Sequence, residues 1–270
     1  MPPPLLILVG LTGVGKSTAV EALLASVPGA TLLPNRRALA DRIVIPEAQR
    51  LDGREPHPVG DRLERFRLTA RYRARYPGGL AHALCRHVRA AAPAGSDRLL
   101  FDNLRGESEV RFALDAFPGA RFVVLEAPAD VRVLRLAGRR DDFDRVAGRD
   151  VNGPGVQGPG VQGPGVQGPG AHGQGAPGAD EARDETLRDR LLQVPGLARL
   201  TDVSALAAAA GGLEPDAVVT GARVVAEESS HYDPAATWAL LEPQPPARRL
   251  RLDTGREPPD VVAARIRAWL

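Results

Sequence analysis

The chain has 270 residues, 43% of them hydrophobic but only 4% aromatic, so it can bury a sizeable, mainly aliphatic core. Its formal net charge of +2 is too small for a global attraction to nucleic acid or membrane surfaces, and the pI near 9.1 reflects arginine. A single cysteine, Cys85, excludes an internal disulfide and fits a reducing cytosol.

The opening MPPPLLILVG is too short, and lacks the basic flank, for a secretory signal, and no apolar run approaches membrane-spanning length. A soluble cytoplasmic protein is expected. Leu5 to Val9 is a continuous apolar run, the pattern of a strand buried on both faces. Gly10, Leu11, Thr12, Gly13, Val14, Gly15, Lys16, Ser17 and Thr18 follow, fitting Gly, any four residues, Gly, Lys, Ser/Thr. A helix over Thr18 to Val27 completes the order strand, glycine loop, helix. Gly10, Gly13 and Gly15 let successive backbone N–H groups turn onto an anion at a helix N-terminus. Lys16 would reach the β- and γ-phosphates of ATP, with the Ser17 hydroxyl on Mg²⁺. The Lys+Arg total is 35 and Lys16 is the one lysine; it falls where arginine's planar fork cannot replace a compact point charge.

GATLLP, ending at Pro34, predicts a second short strand, followed by Arg36 and Arg37, which are candidates for holding an acceptor phosphate. Residues 34–96 are expected to form a helical acceptor-binding region. Within it, Asp61 to Tyr76 reads as a helix carrying Arg67, Arg71 and Arg75, PGG breaks it, and Leu80 to Ala92 resumes. Asp41 and Asp61 are candidate general bases there, as is Asp102 beyond it. Asp97 to Asn103 predicts a third strand whose Asp102 is placed to serve Mg²⁺, usually through water. Arg105 follows at the site mouth as a further candidate phosphate contact.

Ala120 to Pro128 predicts a fourth strand. Arg132, Arg135 and Arg139, at i, i+3 and i+7, then lie on one helical face and are expected to close over the γ-phosphate as part of a lid, residues 129–150. Residues 151–179 hold three consecutive GPGVQ copies from Gly153, a composition that cannot bury enough apolar area to order itself. Pro215 to Ala222, PDAVVTGA, predicts a fifth strand, and Arg248 to Thr254 a last one running into a helix to Trp269. Strands alternating with helices predict a single three-layer α/β domain over residues 1–270, a P-loop NTPase fold with a central parallel sheet of five to six strands.

The stretch LLFDNLRGESEVRFALDAFPGARFVVLEAPADVRVLRLAGRRDDFDR resembles the nucleotide kinases related to dephospho-CoA kinase and adenylate kinase, in particular their archaeal-type relatives. The shared positions are Asp102, Arg105, Glu107, Glu109, Val110, Arg132, Arg135, Arg139, Asp141 and Asp142, and DAVVTGARVV occupies the place of that family's last core strand. Asn103 stands where glycine is usual. The resemblance implies an ATP- and Mg²⁺-dependent kinase acting on a nucleotide, nucleoside or similar small phosphate-bearing molecule.

Other classes fit less well. A guanine-reading Asn-Lys-x-Asp needs a second lysine, no LSGGQ occurs, and Asn103 replaces the glutamate that usually follows the aspartate of hydrolytic ATPases. Five histidines show no HExxH or Cys/His pairing, which disfavours a zinc-type site. The alternative reading is a nucleotide-dependent switch or accessory ATPase contacting nucleic acid or a protein partner through its arginines. Oligomeric state and acceptor identity have no sequence signal.

Overall fold

The computed structural model describes residues 4–91, 97–139 and 177–270. Arg140, Asp141, Asp142 and the GPGVQ repeats lie outside the described residues.

Five strands, β1 (Leu5–Val9), β2 (Ala30–Leu32), β3 (Arg98–Leu104), β4 (Arg121–Glu126) and β5 (Arg249–Asp253), form one sheet. Their order is β2-β3-β1-β4-β5 and every pairing is parallel. β1 lies at the centre, and all five of its residues are buried, because both faces of the sheet are covered. This five-stranded α/β fold is consistent with the P-loop NTPase type, whose ligands sit at the carboxyl ends of the strands.

One face of the sheet presents Ile7, Val9, Phe101, Phe122 and Val124 to α5 (Gly79–Ala91), α6 (Glu107–Ala116) and α11 (Pro234–Leu241). The other presents Leu6, Leu8, Leu100, Val123 and Leu125 to α1 (Lys16–Ser26) and α12 (Pro259–Trp269). Each Leu, Ile or Val fully buried in these layers contributes about 1.5–3 kcal/mol. Between β2 and β3 the chain runs through α2 (Arg36–Leu39), a π-helical turn, α3 (Ile45–Leu51), α4 (Arg62–Arg75) and α5, with a small core of its own around Ile45, Leu68 and Tyr72. Asp61 caps α4 by accepting the Glu64 N–H at 2.7 Å.

The segment PDAVVTGA departs from expectation. It opens α10 (Pro215–His231), a helix with proline in its first turn, and not a strand. Val218, Val219, Ala222, Val225 and Ala226 form the buried stripe of that helix. Spacings of three and four mark a helical face, which a short apolar run conceals. α10 packs with α7 (Ala129–Ala137), α8 (Pro177–Leu192) and α9 (Val203–Ala209) around Val133, Leu191, Leu206 and Val225. Gly221 brings α10 and α7 close: a Cβ there would lie 3.1 Å from the Val133 carbonyl oxygen. None of the described helices is long and apolar enough to cross a membrane.

Candidate functional site

The loop between β1 and α1 turns through three glycines with positive φ: Gly10 at 154°, Gly13 at 84° and Gly15 at 83°. Space and backbone angle both demand glycine at the first two. A Cβ on Gly10 would meet the Leu125 carbonyl oxygen at 2.5 Å, and one on Gly13 would lie 3.0 to 3.1 Å from Arg132. Leu11 and Val14 anchor the loop by burying their side chains in the α1 face of the core. The N–H groups of Gly13 to Ser17 find no acceptor within the described residues. Five donors at the start of α1, where the helix dipole adds positive potential, make an anion cradle.

Lys16 is only partly buried as a residue, but its ammonium turns inward, donating to the Gly10 carbonyl at 2.7 Å and the Leu11 carbonyl at 2.8 Å. Burial of the charge, then the nearby Arg105, lowers its pKa to about 7 against the pull of Glu228 and Asp102. Ser17 and Thr18 are exposed at the first turn of α1.

Two arginines of α7 hold the loop from outside. Arg132, 4% exposed, donates through Nε to the Thr12 carbonyl at 2.8 Å. Arg135 donates through Nη1 to the Gly13 carbonyl at 3.2 Å and Thr254 Oγ1 at 2.9 Å, and through Nη2 to the Thr254 carbonyl at 2.6 Å. Burial lowers the pKa of both guanidiniums, against Glu228 in the case of Arg132. Arg139 is exposed and, with Gly15, Thr18, Arg135 and Thr254, lines a cavity of about 210 Å³. The arginine stripe therefore divides: its first two members serve loop carbonyls, and the third faces open space.

Asp102 lies where β3 bulges. Ile7 pairs with Phe101 but Val9 pairs with Leu104, so Asp102 and Asn103 face Leu8 alone. A bulge of this kind re-aims side chains at a strand end. Burial raises the Asp102 pKa against the opposing effect of Lys16, and Asn103 Nδ2 donates to its Oδ1. Ser17 Oγ and the Asp102 carboxylate are the hard oxygen donors these two elements offer, the type Mg²⁺ takes alongside phosphate and water. Among the described residues there is no group of three or more His, Cys, Asp and Glu that could hold a metal unaided.

Glu228, near the end of α10, carries no sequence signal and turns out to be central. It accepts from Thr12 N at 2.8 Å and Thr12 Oγ1 at 2.5 Å, and pairs with Arg105 Nη1 at 2.5 Å and Arg132 Nη2 at 2.9 Å. Burial alone would raise its pKa, but Arg105, the two Thr12 donors and Arg132 hold it below the ordinary carboxylate range. A carboxylate so clamped is a poor proton acceptor.

The three candidate acceptor arginines are dispersed. Arg36 gives Nη2 to both oxygens of Glu109 at 2.7 Å, Arg105 turns to Glu228, and exposed Arg37 lines a separate cavity of about 450 Å³ with Asp41, His57 and Arg65. Asp41 pairs with Arg65 at 2.5 Å, and Asp61 is engaged as the cap of α4. A further cavity of about 430 Å³ opens beside the glycine loop, with Arg105 and Arg132 on its wall.

No protein-family model matches the chain, and no curated protein matches it. Among solved structures, the chain is similar to the crystal structure of an unliganded sugar kinase from Janibacter sp., at 20% identity and a TM-score of 0.32, over 53% of this chain and 70% of that one.

Proposed function

We propose that the protein is an ATP- and Mg²⁺-dependent phosphotransferase acting on a nucleotide, nucleoside or similar small phosphate-bearing acceptor. The observation that carries this reading is the cradle: unpartnered N–H groups from Gly13 to Ser17 at the start of α1, enclosed with the inward ammonium of Lys16. In the reaction these amides bind the β- and γ-phosphates of ATP, and Lys16 leaves its two loop carbonyls for the phosphate oxygens. Ser17 and Asp102 would hold Mg²⁺, which supplies charge neutralisation at the β- and γ-oxygens. Arg132 and Arg135 keep the loop in shape through the Thr12 and Gly13 carbonyls. Arg139, within a lid over residues 129–150, faces the nucleotide, and Arg36, Arg37 and Arg105 belong to the acceptor side, mostly within residues 34–96. The single domain over residues 1–270, with its GPGVQ segment at 151–179, belongs to the same reading, as does a cytoplasmic location.

The test is ADP production from MgATP with and without a panel of nucleoside monophosphates, nucleosides and small phosphorylated metabolites, with Lys16→Ala as the blank. One acceptor raising turnover well above background, and lost in that variant, establishes the transferase. Hydrolysis that no acceptor changes rejects it in favour of an ATPase or switch.

A further inference from the structure

Four donors converge on the Glu228 carboxylate: the Thr12 hydroxyl and Arg105 at one oxygen, and the Thr12 N–H and Arg132 at the other. Two guanidiniums, a backbone amide and a hydroxyl make a donor set suited to phosphoryl oxygens. Together they fill the four lone-pair sites of the carboxylate. A fifth donor is left over: Arg105 engages Glu228 through Nη1, and its buried Nε, on the Nε–Nη2 edge, has no hydrogen-bond partner among the described residues. A tetrahedral anion, with an additional oxygen, can accept from Nε and Nη2 together once the guanidinium turns that edge to it.

The surroundings favour the same ligand. Thr12 directly precedes Gly13, and a Cβ on Gly13 would lie 3.0 to 3.1 Å from Arg132, so the clamp borders the cradle. Both arginines also line the cavity of about 430 Å³, whose wall includes the apolar side chains of Val9, Leu11 and Leu125. That volume lies within the range of small-molecule sites.

We propose that Thr12, Arg105 and Arg132 form a second phosphate subsite, held by Glu228 in the unliganded chain, and that its ligand is a small phosphate monoester whose body lies in the adjoining cavity. Identifying this ligand with the phosphoryl acceptor rests on the kinase reading above. The anion displaces Glu228, takes over the Thr12 and Arg132 donors, and accepts from Nε and Nη2 of Arg105 turned side-on to it. Because Glu228 competes for the same donors, the subsite binds more weakly than it would without that side chain.

The experiment is calorimetric titration of inorganic phosphate and phenyl phosphate into protein saturated with Mg²⁺ and a non-hydrolysable ATP analogue, which fills the cradle. Glu228→Gln should tighten inorganic phosphate binding at least about tenfold, and Arg105→Met should abolish it. Ala235→Trp, which fills the exposed rim of the cavity, should weaken phenyl phosphate and leave inorganic phosphate unchanged. In the wild-type chain saturated with MgADP, inorganic phosphate should shift the ¹⁵N–H resonance of Arg105 Nε, a readout independent of how the variants fold. Unchanged affinity in Glu228→Gln, retained binding in Arg105→Met, or a static Arg105 resonance overturns the subsite. Transfer to an acceptor at wild-type KM in Arg105→Met would reject the subsite and leave the kinase standing. The expected titrations with no transfer to any acceptor would do the reverse.

Discussion

Thr254 and Val14 stand 240 residues apart and are joined by a buried hydrogen bond: Thr254 Oγ1 donates to the Val14 carbonyl at 3.0 Å, with the Glu126 carbonyl an alternative acceptor at 3.1 Å. The same hydroxyl receives Arg135 Nη1 at 2.9 Å. One oxygen just beyond β5 thus ties the back of the glycine loop to α7. Thr254→Val keeps the shape and removes the hydroxyl, leaving a buried carbonyl and a guanidinium N–H without this partner. We expect a loss of about 1–3 kcal/mol in denaturant unfolding, with weaker ATP binding. Unchanged stability would show that water takes over those bonds.

The lowered pKa of Lys16, about 7 against 10.5 in an unfolded chain, gives stability a pH dependence with a definite sign. Between those values the unfolded chain holds a proton that the folded one lacks, so this residue makes stability rise with pH across the window and contributes no slope outside it. Compared with Lys16→Met, the wild type should gain stability as pH goes from 7 towards 10. Phosphate in the cradle favours the ammonium, so ATP binding near pH 8.5 should take up a proton. Calorimetry in buffers of different ionisation enthalpy should show that uptake in the wild type and none in the variant.

Gly13→Ala tests whether the loop tolerates any side chain. Its φ of 84° and the approach of the Arg132 backbone leave no relaxed position for a methyl group. A destabilisation of about 1–3 kcal/mol is expected, together with loss of ATP binding. Wild-type affinity would mean that Arg132 yields at no cost.

Asp102→Asn removes the charge at the β3 bulge and keeps its size. The expected outcome is that affinity for ATP without Mg²⁺ is held, while the additional affinity conferred by Mg²⁺ falls at least about tenfold, comparable to losing one ligand-orienting group. Equal loss with and without Mg²⁺ would assign Asp102 to balancing Lys16 instead.

Gly221 separates two opposing effects. Gly221→Ala gains roughly 1 kcal/mol of helix propensity but presses a methyl group to 3.1 Å from the Val133 carbonyl oxygen, so near-neutral stability is expected. Gly221→Val adds bulk against Leu136 and should destabilise by about 1–3 kcal/mol while loosening Glu228 from Thr12. Thermal unfolding of the pair checks the difference.

Local patterns made much of the sheet legible. Leu5–Val9, Arg98–Leu104 and Arg121–Glu126 are dense apolar runs ending at turns, and the glycine spacing marked the loop that follows β1. The segment from Pro215 misled because DAVVTGA is short, apolar and β-branched, while its helical register becomes visible only when extended to His231. Arg132 and Arg135 were legible as a stripe, but not their targets. A carbonyl acceptor such as Thr12 or Gly13 leaves no trace in residue identity. Glu228 was invisible for a related reason: its partners lie 123, 96 and 216 residues away, and an acid on a polar helix end looks solvated until the fold brings those cations to it.

The separation between the loop and its supports also bears on timing. During synthesis, Gly10 to Ser17 leaves the ribosome long before Glu228 and Thr254 exist, so the cradle begins without the contacts that later secure it. Competence for nucleotide should arrive late and in one step, when α10 and the end of β5 come into place. A nascent chain stalled before residue 228 should show little protection of this loop by ATP against proteolysis, and one released beyond residue 254 should show it in full.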